Sequence, residues 1–182
     1  MSQSTVNLAA SSAEVKASSR AAAAESGGRI LLVPVDFSDH SAAALTKAAE
    51  FAELMRASLI VLHVVHDPGE MPGYYSKLIK KKRATRIQDI AAEAFEQFVD
   101  RIAAENGGLA ALQSAHRLMV QGLPVTRILE VVKYIEPMMV VMGSQGRTGL
   151  KHLVIGSKAA QIMQLCPVPV TIVKQPKKGS KS

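Results

Sequence analysis

Two short blocks of this chain are almost wholly aliphatic. Residues 29–36 hold Ile30, Leu31, Leu32, Val33 and Val35, and residues 58–65 hold Leu59, Ile60, Val61, Leu62, Val64 and Val65. Runs of this length without polar alternation predict strands buried on both faces of a sheet. Between them the period changes. Over residues 41–56, Leu45, Ala48, Ala49, Ala52 and Met55 recur at helical spacing, with Asp39 or Ser41 placed to cap the start. Residues 66–76 carry Pro68, Gly69, Pro72 and Gly73 and read as a loop. A long amphipathic helix is expected over 85–106, from Ile87, Ile90, Ala91, Ala94, Phe98 and Ile102, with Gly107 and Gly108 ending it. The basic run Lys80, Lys81, Lys82 and Arg83 is expected just before that helix, because positive charge opposes the dipole at a helix start.

The second half repeats the alternation. A weaker strand is expected over 115–121, and a short helix opened by Pro124 carries Val125, Ile128, Leu129 and Val132. A strand over 138–142, a helix over 157–165 and a strand over 167–173 complete the pattern, and Pro169 marks the last strand as an edge. Five strands alternating with four helices predict an α/β, three-layer, Rossmann-like architecture with a mainly parallel sheet. Ligands of such sheets bind beyond the carboxyl ends of the strands, where the strand order reverses.

At 182 residues the chain suits one domain. Residues 1–28, rich in Ala and Ser, are expected to be a disordered extension, 29–174 the compact domain, and 175–182 a mobile basic tail. The apolar runs fall far short of the roughly 20 residues a membrane span needs. No basic start precedes an apolar stretch as in a secretory signal, so a cytoplasmic location without membrane attachment is expected. The lone Cys166 excludes a disulfide framework and is expected to behave as a small buried apolar group. The net charge of +7 sits largely in the basic run and the tail, whereas aromatic residues make up 4% and Trp is absent. That composition argues against a base-stacking nucleic-acid surface.

The chemistry concentrates after the fourth strand, where Gly143, Ser144, Gln145, Gly146, Arg147, Thr148 and Gly149 follow in succession. Nine residues separate Gly146 from Gly156, and Ser157 comes next, giving Gly-x2-Gly-x9-Gly-Ser. Glycines let backbone amides converge on a phosphate, and Gly156-Ser157 opens a helix whose amino end favours an anion. On spacing alone a structural turn explains the same glycines. No P-loop string occurs, and a dinucleotide fingerprint would follow the first strand. Asp36, ending the first strand, either caps the next helix or contacts a ligand. Arg147 either neutralises phosphate or is a solvated loop residue. His40, His63, His66, His116 and His152 form no metal-ligand spacing. His63, within a strand, fits a core or ligand-lining place.

Three segments together carry a resemblance. Residues 30–38 (ILLVPVDFS), 140–150 (VVMGSQGRTGL) and 167–173 (PVPVTIV) resemble the opening strand, nucleotide loop and closing strand of universal stress proteins, and the likeness spans about residues 29–174. The glycine pattern is that of the family's ATP-binding branch. One departure is Pro137-Met138, where the family often has Ala-Asp leading into the fourth strand. The resemblance implies an adenine nucleotide alpha hydrolase-like sheet of order 3-2-1-4-5 and a homodimer through the last strand. It implies ATP as ligand, with Asp36 contacting the ribose or an Mg2+ held by the phosphates. Pro34, Val35 and Val64 would flank the adenine, with Met142 and Gly143 on the adenine–ribose side. Ser144, Gly146, Gly156 and Ser157 would hold phosphates, with Arg147 nearby. A nucleotide-dependent regulatory or stress-response module, read by a protein partner of unknown identity, is the leading expectation. A slow ATPase and an adaptor dimer without a nucleotide role are the alternatives. No residue stands out to position an attacking water, as fast hydrolysis requires.

Overall fold

A strand whose every side chain is buried needs cover on both faces, and β1 (Ile30–Val35) has it. The computed structural model describes residues 12–65, 81–146 and 155–175, without the side chains of 12–14 and 81–88. Arg147, the loop expected over 66–76 and the tail from residue 176 lie outside the described residues. β1 is the middle of a five-stranded sheet in the order β3-β2-β1-β4-β5, with β2 (Ser58–Val65), β3 (His116–Gln121), β4 (Met139–Gly143) and β5 (Val170–Val173). Every pairing is parallel. This is the expected order and class, and β5 lies at the edge, preceded by Pro169.

The two-residue period of a strand divides the core into two layers. Leu31, Val33, Val35, Leu59 and Val61 face α2 (Asp39–Met55), α3 (Lys81–Glu105) and the short α4 (Ala110–Gln113). Ile30, Leu32, Ile60, Leu62, Val140 and Met142 face the opposite layer, which holds α5 (Pro124–Ile135) and α6 (Ser157–Leu165). Both faces of the central strands are therefore apolar, and the continuous aliphatic runs follow.

One break in the ladder prepares the site. β1 pairs with β2 along its whole length, from Ile30↔Ser58 to Val35↔His63. Its register with β4 stops at Leu31↔Met139 and Leu32↔Val140. Pro34, two residues on, has no N–H to offer a ladder. β4 meanwhile continues alongside β5 to Gly143↔Val173. The carboxyl ends of β1 and β4 thus part where the strand order reverses.

The segment ahead of β1 departs from the expectation of disorder. Residues Ser12–Ser26 form α1, which packs beside α5 against β1, β2 and β3. Val15 (3% exposed) and Ala22 (0%) stand two turns apart on one helix face and enter the second core layer. Such a narrow stripe of small residues lets a helix lie close to a sheet while leaving its average hydropathy low. Polar contacts complete the joint. Ser58 Oγ donates to the Ala22 carbonyl at 2.7 Å, and Ser26 Oγ lies 2.6 Å from the Arg29 carbonyl. Glu25 meets His116 Nε2 at 2.9 Å. Gly27 and Gly28, both at positive φ, turn the chain into β1.

Two helix starts also differ from expectation. The N-cap of α2 is Ser38, whose Oγ accepts from the Ser41 amide at 3.1 Å, while Asp39 already lies in the first turn. α3 begins at Lys81, inside the basic run. A dipole penalty of about 0.3–1 kcal/mol per exposed charge is offset by the strong intrinsic helix preference of Lys and Arg. Far along α3, Glu96 and Asp100 both accept from Arg117 of β3, Asp100 at 2.6 Å, tying the helix to the edge strand. Burial of the Arg117 guanidinium lowers its proton affinity, but the hydrogen bonds it donates to Asp100 and Glu96, with their negative charge, outweigh this and raise its pKa.

Candidate functional site

Where β1 runs out, Asp36 divides its carboxylate between two tasks. Oδ1 accepts from the Ser38 amide at 3.2 Å and from Ser38 Oγ at 2.6 Å. The Asp36 amide faces Ser41 Oγ at 3.4 Å. This network fixes the turn into α2. Oδ2 faces Gly146: a Cβ on that glycine would lie 2.6 Å from it. The loop after β4 and the aspartate ending β1 therefore meet, and the meeting requires a residue without a side chain.

Phe37 takes φ +65°, a left-handed conformation costly for a bulky residue. Its ring stacks on His63 at 4.2 Å and stands 5.4 Å from Phe98. His63 is fixed in turn by a hydrogen bond between Nδ1 and the Val35 carbonyl at 2.9 Å. The expected place of His63, in a strand beside the site, agrees with this packing.

Across the parting, the end of β4 is held against the first turn of α2. A Cβ on Gly143 would fall 2.7 Å from the carbonyl carbon of His40, so only glycine permits that approach. Ser144 is 2% exposed, and all its polar groups are engaged. Its amide donates to the Val173 carbonyl at 2.9 Å, its carbonyl accepts from the Gly156 amide at 2.7 Å, and its Oγ lies 3.2 Å from His40 Nδ1. Ser144 therefore braces the loop from inside. This differs from the phosphate-holding role expected of it, because no donor of Ser144 remains for a ligand.

Gly156 is the N-cap of α6, without a side-chain cap, and Ser157 is exposed at the first helical position. Gly146, Gly156 and the amino end of α6 come together through the Ser144 carbonyl. Val64 and Met142 belong to the second core layer, on one face of the sheet, and Pro34 is buried. Val35 points into the other layer, with α2 and α3. By strand alternation its side chain lies on the face opposite Val64, so only the Val35 backbone shares that side of the sheet edge. A shallow cleft of about 440 Å³ opens beside the loop, lined by residues 37–40, Gln145, Gly146 and Gln175. Among the described residues no cluster of three His, Cys, Asp or Glu side chains could hold a metal alone, and no helix is long and apolar enough to cross a membrane. Cys166 is half-buried against the second core layer, between the fully buried and the exposed extremes.

The residue missed in the sequence is His40, which touches Ser144 across 104 positions. The dense polar run Ser38, Asp39, His40, Ser41 after an aliphatic strand was the available signal.

The fold recurs in known proteins. Universal stress protein YxiE of Bacillus subtilis is 30% identical over 157 residues, covering 79% of this chain and 97% of its own. The solved universal stress protein UspA of Lactobacillus plantarum superposes with a TM-score of 0.63 at 24% identity, covering 80% of this chain and 97% of its own. A universal stress protein of Archaeoglobus fulgidus, solved in complex with dAMP, matches with a TM-score of 0.53 at 24% identity, over 80% of this chain and 97% of its own. The universal stress protein family model matches residues 28–174, from the turn before β1 to the residue after β5. That match spans most of the chain, and the chain belongs to the universal stress protein family.

Proposed function

We propose that this protein binds ATP at the parted ends of β1 and β4 and acts as a nucleotide-dependent regulatory module. The observation that carries the reading is the approach of Gly146 to Asp36 Oδ2, which brings a glycine of the loop after β4 and a carboxylate to one place at the switch point of the sheet. The glycine N-cap of α6 adds a helix amino end with no side chain closing it. Val64 and Met142, on one face, supply apolar surface for an adenine. The dAMP bound by the Archaeoglobus relative supports an adenine nucleotide as the ligand class.

Mg2+ fits this donor set. It takes oxygen ligands and retains several waters, so one carboxylate and phosphate oxygens suffice. Asp36 Oδ2 is the carboxylate oxygen that faces the loop, beside Gly146, and Oδ1 accepts from Ser38. A metal there would neutralise phosphate charge. In this reading Gly146 and Gly156 line the phosphates, Ser157 offers its hydroxyl, and Arg147 contributes from the same loop sequence. Ser144 acts by holding that loop.

The regulatory part of the reading has the protein acting in the cytoplasm as a homodimer through β5, with occupancy altering a surface read by a protein partner. β5 supports this as a terminal strand whose four residues are all only half-buried. Isothermal titration with ATP at millimolar Mg2+ tests the core of the proposal. Saturable binding is expected, lost or strongly weakened in Gly146→Val. A folded wild-type chain that takes up no ATP overturns it.

A further inference from the structure

His40 stands where three separately folded segments meet. Its backbone lies in the first turn of α2, pressed against the backbone of Gly143 at the end of β4. Its Nδ1 lies 3.2 Å from Ser144 Oγ and accepts from the Gln175 amide, two residues past β5, at 3.4 Å. The Gln175 N–H can only donate, so Nδ1 must be the acceptor and the imidazole proton sits on Nε2. A ring nitrogen has one lone pair. The two donors share it, which accounts for both distances being long.

This contact has a consequence for the loop. Ser144 is buried, and a buried hydroxyl without a partner costs about 1–3 kcal/mol, so its orientation depends on the acceptor that His40 supplies. The Ser144 carbonyl in turn receives the Gly156 amide, and Gln145 and Gly146 follow it directly. The imidazole thus reaches the first amides of α6 and the glycine facing Asp36 through one side chain.

We propose that His40 is a positioning residue for the phosphate side of the site. Its neutral Nδ1 fixes Ser144, and Ser144 sets the relative placement of Gly146 and Gly156. Discrimination between phosphate-bearing and phosphate-free ligands therefore depends on a residue that acts through Ser144. The ligand part of this inference rests on the nucleotide reading above; the bracing part does not.

The test compares the full-length wild type with His40→Ala, His40→Asn, Ser144→Ala and the His40→Ala/Ser144→Ala double variant. Affinities for ATP and adenosine are measured, together with hydrogen exchange over residues 143–146 and 173–175. His40→Ala is expected to lower ATP affinity about tenfold, the loss of one hydrogen bond's worth of order, and adenosine affinity less than about twofold. His40→Asn, whose side-chain carbonyl replaces the acceptor near Nδ1, is expected to recover most of the ATP affinity. Ser144→Ala should reproduce the His40→Ala loss, and the double variant should add little to it, as expected for two members of one contact. Exchange in both segments should quicken in His40→Ala and return towards wild type in His40→Asn. The proposal is overturned by unchanged ATP affinity in His40→Ala, by parallel loss of ATP and adenosine binding, or by no recovery in His40→Asn. A wild-type chain that binds neither ligand rejects the nucleotide reading and the ligand part of this one. Exchange then decides the bracing role alone, and identical rates in wild type and His40→Ala overturn it.

Discussion

At the amino end of the sheet, Ser26, Glu25 and the Ala22 carbonyl of α1 meet Arg29, His116 and Ser58 at the starts of three neighbouring strands. At the carboxyl end, β1 and β4 stop pairing, Phe37 adopts a left-handed backbone, and two glycines admit close approaches that no other residue would allow. The two ends share the same strands and differ in what their polar groups do. Those at the amino end pair with one another and close the fold. Those at the carboxyl end are arranged around a place where backbone and carboxylate face each other. In the proposed reading the amino end serves the fold alone, whereas the carboxyl end carries the binding place as well, so perturbations at the amino end should leave binding intact.

The largest effect is expected at Gly143. In Gly143→Ala the new methyl would meet the α2 backbone at 2.7 Å, and neither partner is a flexible side chain. Overpacking of this kind costs about 2–3 kcal/mol, which for a chain of this length lowers Tm by roughly 4–12 °C. Thermal unfolding checks it, and an unchanged Tm would show that the site's scaffold is looser than described. Next comes Val15→Asp, which puts a charge into the second core layer and forfeits about 2 kcal/mol of burial. Tm should fall while ATP affinity per folded molecule stays within about twofold, a difference of roughly 0.4 kcal/mol. Coupled loss of both would break the division between the ends.

Gly146→Val should behave in the opposite sense. Its neighbour at 2.6 Å is a carboxylate oxygen at the end of a side chain, so the fold can adjust. ATP affinity is expected to drop at least about tenfold, or 1.4 kcal/mol, with little change in Tm.

The aliphatic strands were readable because burial on both faces leaves no polar alternation to confuse them, as in 30–35 and 58–65. The glycine loop and Asp36 were readable because their chemistry is local to short segments. The strand order came through resemblance to a family, since periodicity alone does not rank neighbours. α1 was not legible. Its docking depends on Val15, Ala22 and small neighbours fitting a particular sheet surface, and a stripe of alanines carries almost no periodic hydropathy signal. His40 was missed for a related reason: its partners, Ser144 and Gln175, are brought to it by the fold from more than a hundred positions away. The start of α3 shows the reverse error, in which a local electrostatic rule was given more weight than helix preference.

The pyrrolidine ring of Pro34 has a lasting consequence. A gap kept apart by side-chain bulk can close when those chains rotate, but a nitrogen lacking hydrogen cannot acquire one by thermal motion. The fork in the sheet is therefore written into covalent structure and persists whatever occupies it. A visiting molecule would find the doorway already standing.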